Sequence, residues 1–342
     1  MMKKWLCFLL LTCVERSISD ETRYAGASME LGVGARSIAL GGYAAASYGS
    51  IDNFHCNPAA AALLSRTVLS VMYAPSYGAV TDPLAVYHYC GFQAPLFGGA
   101  TVGVHWTRFF VDGIPIYPEL SGGSLADRLN DSSLQPDGQA LGYFQDAEDV
   151  VYLSFGRAFR HLVPLGWLYG DLPVEIPVGI TIKILRQSLH QNHASALGLD
   201  LGAMLNFSLE RLLDSDFLGK VSLAFSVLDI ARTPILWNTR HEDRVQRTML
   251  FGLGYAEDFG MRDGRVQLFY TQYRKYNTAH LAGMEACYRG LALRSGMGPQ
   301  GWNLGAGLRW HGCAVDYAFS FLDFSQVHRL SCSFTFKRGA GE

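Results

Sequence analysis

Charge is scarce in this sequence, and lysine is the scarcest of the charged residues. Charged side chains make up 17% of the 342 residues, and only four lysines follow residue 19. The formal net charge of −2 excludes the basic face that nucleic-acid binding requires, so no nucleic-acid partner is predicted. A soluble protein of this length would have a poorly charged surface. The composition therefore favours a body that faces an apolar environment.

Long apolar runs are missing as well. After residue 20, no stretch of 18 residues is apolar without interruption, which excludes membrane-spanning helices. Hydrophobic residues nevertheless make up 49% of the chain, too many for an extended disordered protein. The apolar residues must therefore be distributed with a shorter period within a folded body.

The motifs of catalytic and metal sites are also absent. The sequence contains no GxSxG elbow, no HExxH pair and no GxxxxGK phosphate loop. The five cysteines after residue 19 show no CxxC spacing and are interpreted as small hydrophobic residues. His190 and His193 are interpreted as solvated loop residues rather than a metal pair. The sequence predicts no catalytic residues, no cofactor and no metal site, and an outer-membrane hydrolase is the weakest hypothesis.

The first 19 residues have the layout of a secretory signal peptide. Two lysines precede the apolar run from Trp5 to Thr12, and small residues follow at Ser17 and Ser19. The apolar run is too short to span a bilayer. We predict export and cleavage near Ser19. In the alternative interpretation this is a lipoprotein signal, with Cys13 acylated.

Large apolar side chains alternate with small or polar ones along segments of roughly ten residues after position 66. Over residues 174–184 every second residue is Val or Ile, and Glu175, Thr181 and Lys183 stand among the others. This two-residue period is typical of a strand with one apolar and one polar face. A strand that crosses a membrane needs about 9–11 tilted residues, which is the length of these segments.

The small or polar side chains that alternate with the large apolar ones distinguish between two all-β folds. A soluble β-sandwich needs many charged outward residues, whereas the smaller set here is mostly Gly, Ser and Ala. Small residues suit a curved barrel interior, and large apolar residues suit lipid. Trp302 and Trp310 bracket one segment, as interfacial aromatic residues do. We predict an all-β, transmembrane antiparallel β-barrel of about 14 strands over residues 66–337, followed by a C-terminal tail at 338–342.

The strand count is even, as an up-and-down barrel with both chain termini on one side of the membrane requires. The predicted strands are 67–75, 84–94, 99–110, 149–159, 175–187, 194–206, 220–230, 245–256, 264–274, 278–288, 290–297, 302–310, 313–321 and 327–337. The longest connection, Val111 to Gln145, is predicted outside the cell. Two longer links, His161 to Pro173 and Ser208 to Gly219, are predicted on the periplasmic side.

Four polar residues are predicted to face the lumen by the same alternation. They are His105, Lys183, Asp200 and Arg309. Such residues are candidates for lining a polar route, but charges inside barrels commonly pair with one another. We favour the interpretation that these charged residues form ion pairs inside the barrel.

Residues 20–65 differ from the rest of the chain. They are rich in Gly and Ala, sparsely charged and without a sustained two-residue period. A barrel of fourteen strands has a lumen wide enough to require filling. We therefore predict that this region is an N-terminal plug, or hatch, inside the lumen.

This region also carries a resemblance to a known family. The stretch LGVGARSIALGG at 31–42, followed by Asn57-Pro58-Ala59, resembles the N-terminal signature of outer-membrane proteins related to the FadL long-chain fatty acid transporters. The PorV/PorQ-like branch is the most similar. The resemblance implies an outer-membrane location in a diderm bacterium and passive movement of hydrophobic molecules, with plug rearrangement and sideways exit through the wall.

The residues that match this signature are Asn57, Pro58 and Ala59, preceded by Arg36, Gly41 and Gly42. Arg36 either anchors the plug to an acidic lumen residue or meets a carboxylate ligand, and we favour the internal salt bridge. Asn57 is a candidate helix cap.

The predicted function is passive uptake of long-chain fatty acids or other hydrophobic small molecules across the outer membrane. The alternative is a PorV-like barrel that escorts secreted proteins. The predicted partners are hydrophobic small molecules, such as fatty acids or lipids, and outer-membrane lipid. The sequence names no protein partner.

Overall fold

The computed structural model describes residues 24–117, 124–130, 140–166, 170–215, 218–259, 263–322 and 326–336. The predicted signal peptide, the Cys13 alternative and the C-terminal tail lie outside these residues. Within the described residues, no helix is both long and apolar enough to cross a membrane.

Fourteen antiparallel strands of the described chain close into a barrel. The strands are β1 Val68–Ala79, β2 Asp82–Pro95, β3 Ala100–Ile116, β4 Gly142–Pro164, β5 Asp171–Leu189, β6 Asn192–Ser208, β7 Lys220–Leu228, β10 Thr248–Phe259, β11 Gly264–Arg274, β12 Thr278–Tyr288, β13 Leu291–Gly298, β14 Gly301–Trp310, β15 Cys313–Phe321 and β16 Gln326–Thr335. β1 pairs with β2 on one side and with β16 on the other, and β5 pairs with β6 to complete the ring. The predicted all-β barrel is confirmed, and each of the fourteen predicted strands overlaps one of these.

The strands β3 to β6 are longer than predicted. β3 and β4 extend into the predicted connection Val111 to Gln145, and β4 and β5 take up both ends of the predicted link His161 to Pro173. The prediction was wrong there because backbone pairing continues beyond the apolar belt, where side chains no longer need to alternate. Two short strands, β8 Pro234–Trp237 and β9 Glu242–Arg244, were missed in the connection between β7 and β10.

The wall has an apolar outer face and an inner face of small and polar residues. Burial alternates along each strand, as in β5 and β6. Trp302 and Trp310 lie at the two ends of β14 with 60% and 70% of their surface exposed. The two tryptophans are eight residues apart, which corresponds to about 26 Å along the strand. A tilted strand needs about this length to cross an apolar belt.

The barrel has two ends, which we name by the chain. At the near end β1 begins and β16 ends, and the connections β2–β3, β6–β7, β10–β11 and β12–β13 lie there. The far end carries the β1–β2, β5–β6, β11–β12 and β15–β16 connections.

The register pairing between β1 and β16 covers Val68 to Tyr73 of β1 and ends there. Beyond that point β1 contains Pro75, which has no N–H to donate.

Residues 24–66, the N-terminal segment, form short helices rather than strands. α1 spans Ala35–Ala39, and 3₁₀ helices span Ala27–Leu31, Ile51–His55 and Pro58–Leu63. The segment contacts β4, β5 and β6 on one side and β13, β14 and β15 on the other. Two further short helices, α2 Leu125–Asn130 and α3 Leu209–Leu213, lie in the connections β3–β4 and β6–β7.

Candidate functional site: the N-terminal segment and the inner wall

Wall glycines lie where the N-terminal segment comes closest to the strands. A Cβ added at Gly252 would lie 2.9 Å from the Ala46 nitrogen, and one added at Gly283 would overlap the Leu40 backbone. The same crowding occurs at Gly156, Gly179, Gly202, Gly296 and Gly305. The inner face is built of small residues at these positions because the segment's backbone packs directly on it.

The LGVGARSIALGG stretch makes one turn that only glycine adopts easily. α1 ends at Ala39, and Gly41 and Gly42 follow with φ of 97° and 82°. The Gly42 nitrogen donates to the Ser37 oxygen at 2.9 Å. Since the left-handed region disfavours residues with a Cβ, these glycines let the chain reverse against the wall.

The Asn-Pro-Ala motif holds two parts of the segment together. The Asn57 side chain is fully buried. Its Oδ1 accepts a hydrogen bond from the Ala59 nitrogen at 3.0 Å, which caps the helix Pro58–Leu63, and its Nδ2 donates to the Ala45 oxygen at 3.1 Å. The motif therefore has a structural role within the segment.

Arg36 joins the segment to the wall through a buried ionic network. Its Nε donates to Glu285 Oε2 at 2.8 Å and its Nη2 to Glu285 Oε1 at 3.1 Å. Arg294 Nε donates to the same carboxylate at 2.6 Å, and Arg294 Nη1 reaches Asp316 Oδ1 at 2.7 Å. Burial opposes a charge on Arg36, but the Glu285 carboxylate raises the pKa of Arg36 above its ordinary value. The geometry is that of a bidentate anchor.

Lys183 and Asp200 pair inside the barrel. Lys183 Nζ lies 2.8 Å from Asp200 Oδ1 and 2.7 Å from Asp229 Oδ1. The Asp229 oxygen also accepts a hydrogen bond from Thr233 Oγ1 at 2.7 Å. All three charged groups are buried, so this cluster fixes the start of the β7–β10 connection against the wall.

His105 is fully buried and stacks on the segment. Its ring lies 3.7 Å from the Phe54 ring, at an interplanar angle of 11°. Its two ring nitrogens lie within hydrogen-bond distance of Tyr89 Oη at 3.1 Å and Ser154 Oγ at 3.2 Å. With both nitrogens partnered in this way, His105 packs the segment rather than lining an open route.

The near end contains two polar cavities that share Arg36 and Arg309. One has a volume of about 780 Å³ and the other about 410 Å³. Tyr48 and Glu285 also border the larger one. Among the described residues, the Arg309 side chain forms no recorded hydrogen bond or ion pair. Of the four predicted lumen residues, Arg309 alone borders these cavities.

The first residues of the segment contact the wall at the far end. Lys275, in the β11–β12 turn, pairs with Glu30. Arg329 Nη2 donates to the Leu31 oxygen at 3.2 Å, and Arg329 Nη1 donates to Ser320 Oγ at 2.9 Å. Two cavities at this end have volumes of about 60 and 30 Å³. These two cavities are much smaller than the two at the near end.

The sequence did not predict which barrel residues make these contacts. Glu285, Arg294 and Asp316 carry the Arg36 network, and Asp229 completes the Lys183 cluster. The first three interrupt otherwise apolar or small-residue strands at inward positions, a signal that strand alternation provides. Asp229 lies in a connection and offers no such signal.

No family model matches the chain, and no curated protein sequence matches it. Solved structures similar to it include the Pseudomonas putida toluene transporter TodX, with 12% identity, 89% of this chain and 97% of that chain covered, and a TM-score of 0.44. The Ralstonia pickettii toluene transporter TbuX has 12% identity, covers 90% and 99%, and has a TM-score of 0.45. A Pseudomonas aeruginosa FadL homologue has 11% identity, covers 87% and 96%, and has a TM-score of 0.40.

A FadL homologue is thus among the solved structures that the chain is similar to. The PorV/PorQ-like branch stays a prediction. The architecture described above rests on this chain's own strand pairing.

Proposed function

We propose that this protein is an outer-membrane transporter for passive uptake of long-chain fatty acids or other hydrophobic small molecules, and that the N-terminal segment is its plug. The observation that carries the proposal is the buried segment between opposite walls of a closed barrel with an apolar outer face. A water-soluble solute would have to cross the segment's apolar contacts, such as those of Phe54 and Met29. A hydrophobic solute is stabilised by the same contacts.

A hydrophobic solute also has a sideways route. The recorded β1–β16 pairing stops at Tyr73 and Leu330, although both strands continue towards the far end. Pro75 removes one donor from this part of the wall. We propose that the exit into the membrane lies at this seam, because the register pairing between β1 and β16 covers only Val68 to Tyr73.

The plug role is testable with a reversible covalent lock. A Cβ added at Gly254 would lie 3.2 Å from Ala46 Cβ, close to the 3.5–4.5 Å spacing of a disulfide. The variant A46C/G254C, with the other described cysteines changed to serine, should form this bond on oxidation. The matched control is the same serine background without the new pair.

Uptake is measured with labelled oleate in a diderm bacterium that lacks its own long-chain fatty acid transporter. Cells with the control protein should take up oleate under both redox conditions. The locked variant should lose uptake when oxidised and regain it when reduced. Unchanged uptake by the oxidised variant would reject the plug role, and equal uptake with and without the control protein would reject transport. Recovery of secreted proteins on the barrel, with no oleate uptake, would favour the PorV-like alternative.

A further inference from the structure

The outer face of β1 to β5 carries a transverse row of polar residues. Tyr73, His88, Arg108, Asp149 and Arg186 stand opposite one another on neighbouring strands, since each is the register partner of the next. Their strand parity directs all five outward. The outward positions two residues closer to the near end are apolar throughout: Val71, Cys90, Trp106, Val151 and Ile184. The row therefore borders an apolar region of the outer face on its near-end side.

The row carries an excess of positive charge. Arg108 Nε lies 3.9 Å from Asp149 Oδ1, a long contact between half-exposed groups. The same carboxylate oxygen accepts a hydrogen bond from Trp106 Nε1 at 2.9 Å. Arg186 is exposed, and no hydrogen bond or ion pair of its side chain to another described residue is recorded. The guanidinium groups of Arg108 and Arg186 thus flank one carboxylate, that of Asp149, which already accepts the Trp106 hydrogen bond.

A groove begins directly beside Arg108. It has a volume of about 510 Å³ and lies on the outer face of β1 to β3. Val71, Trp106 and Phe110 form its apolar sides, and the small Cys90 side chain leaves space between them. His88 and Arg108 border the same groove.

We propose that this surface binds one phosphorylated membrane lipid, with its phosphate at Arg108 and Arg186 and an acyl chain in the groove. Arginine donates paired hydrogen bonds to phosphate oxygens, and the two residues stand on strands about 10 Å apart, within reach of one headgroup. An apolar groove that faces hydrocarbon suits an acyl chain rather than a water-soluble anion. The site lies on the outer face of the wall, and the case for lipid binding there does not rest on the proposed transport function.

The test compares two lipids that share their acyl chains. Protein in neutral detergent is titrated with dioleoyl phosphatidic acid or with dioleoylglycerol, and native mass spectrometry counts the adducts. Phosphatidic acid should give a single adduct that persists at concentrations where dioleoylglycerol has dissociated. The R108Q/R186Q variant should bind phosphatidic acid about tenfold more weakly or worse, which corresponds to the loss of one charge-assisted contact or more.

Two further variants separate the headgroup from the groove. C90F fills the groove without changing charge and should also weaken phosphatidic acid binding. R274Q removes another exposed outward arginine, on β11, and should leave binding unchanged. Equal binding of the two lipids, an equal loss in R274Q, or displacement of the adduct by inorganic phosphate would each overturn the proposal.

Discussion

The two ends of the barrel differ in how the N-terminal segment occupies them. At the far end the Glu30–Lys275 pair holds the segment against the β11–β12 turn and the Arg329 contact holds it against β16, beside cavities of about 60 and 30 Å³. At the near end the segment is fixed by Arg36, beside cavities of about 780 and 410 Å³. Under the proposed transport function, the near end is the side open to small molecules, and movement of the segment at the far end would control passage. The buried Arg36–Glu285 pair and the smallest of these cavities therefore lie at opposite ends of the barrel.

A native thiol reports on the segment in the first two of the following tests. Cys56 is buried, with its Sγ 3.1 Å from the Gly42 oxygen. Burial raises the pKa of Cys56 to about 12, so its alkylation at neutral pH is slow while the segment stays seated. In a background where the other described cysteines are serine, the alkylation rate measures release of the segment.

The largest effect is expected at the near-end anchor. Arg36→Met leaves the Glu285 carboxylate buried with Arg294 alone, and breaking a buried pair in this way costs about 3 kcal/mol. Cys56 alkylation should rise about 100-fold. The double variant R36M/E285Q removes both charges and should recover part of this loss. An alkylation rate equal to that of the parent protein would show that the anchor does not hold the segment.

A smaller effect is expected where the wall and the segment touch between the two ends. Gly283→Ala places a Cβ against the Leu40 backbone, and overpacking of this kind costs about 2 kcal/mol. Cys56 should react about 30-fold faster. Gly170→Ala is the matched control, since a Cβ there meets no atom within 4 Å. Similar rates in both variants would contradict the close packing.

Loss of the cap within the segment should have a still smaller effect. Asn57→Ala removes the acceptor for the Ala59 nitrogen and the donor to Ala45, which costs about 1 kcal/mol. The melting temperature in detergent should fall by a few degrees. Asn57→Asp keeps the acceptor and should retain more of the stability than Asn57→Ala. A larger loss in Asn57→Asp would show that the donor to Ala45 matters more than the cap.

The far-end seal should contribute least to stability but most to access. The Glu30 side chain is 33% exposed, so solvent screens its pair with Lys275, and Glu30→Gln should cost less than about 1 kcal/mol. A cysteine placed at Ser28, which is buried, should nevertheless be alkylated faster in this variant. Arg309→Gln, at the near end, should leave that rate unchanged. Equal rates in both would remove the distinction between the ends.

The strands were predictable from the sequence because each must place apolar residues outward at every second position. β14, for example, alternates from Trp302 to Trp310 over its whole length. The far-end extensions of β3 and β4 over residues 111–116 and 142–145 were not predictable, since no residue on either face there is buried. β8 and β9, with four and three residues, are too short to show a period.

The sequence predicted that the N-terminal segment contacts the barrel interior, but not which barrel residues it contacts. A partner for Arg36 inside the barrel follows from the cost of burying a lone charge. The identity of Glu285 does not follow, because the two residues are 249 positions apart and only barrel closure brings them together. Wall glycines such as Gly283 carried a usable signal, since glycine weakens a strand unless a close neighbour requires it.

The same separation has a consequence for the order in which the molecule assembles. Arg36 is made long before β12, which carries Glu285, and β1 must wait for β16, the last strand, before it gains its second neighbour. The earliest part of the chain therefore cannot reach its final position until the latest part has been inserted. Such non-local pairing slows folding, and a chain halted before β16 would expose an unpaired β1 edge and an unseated N-terminal segment to quality-control proteases.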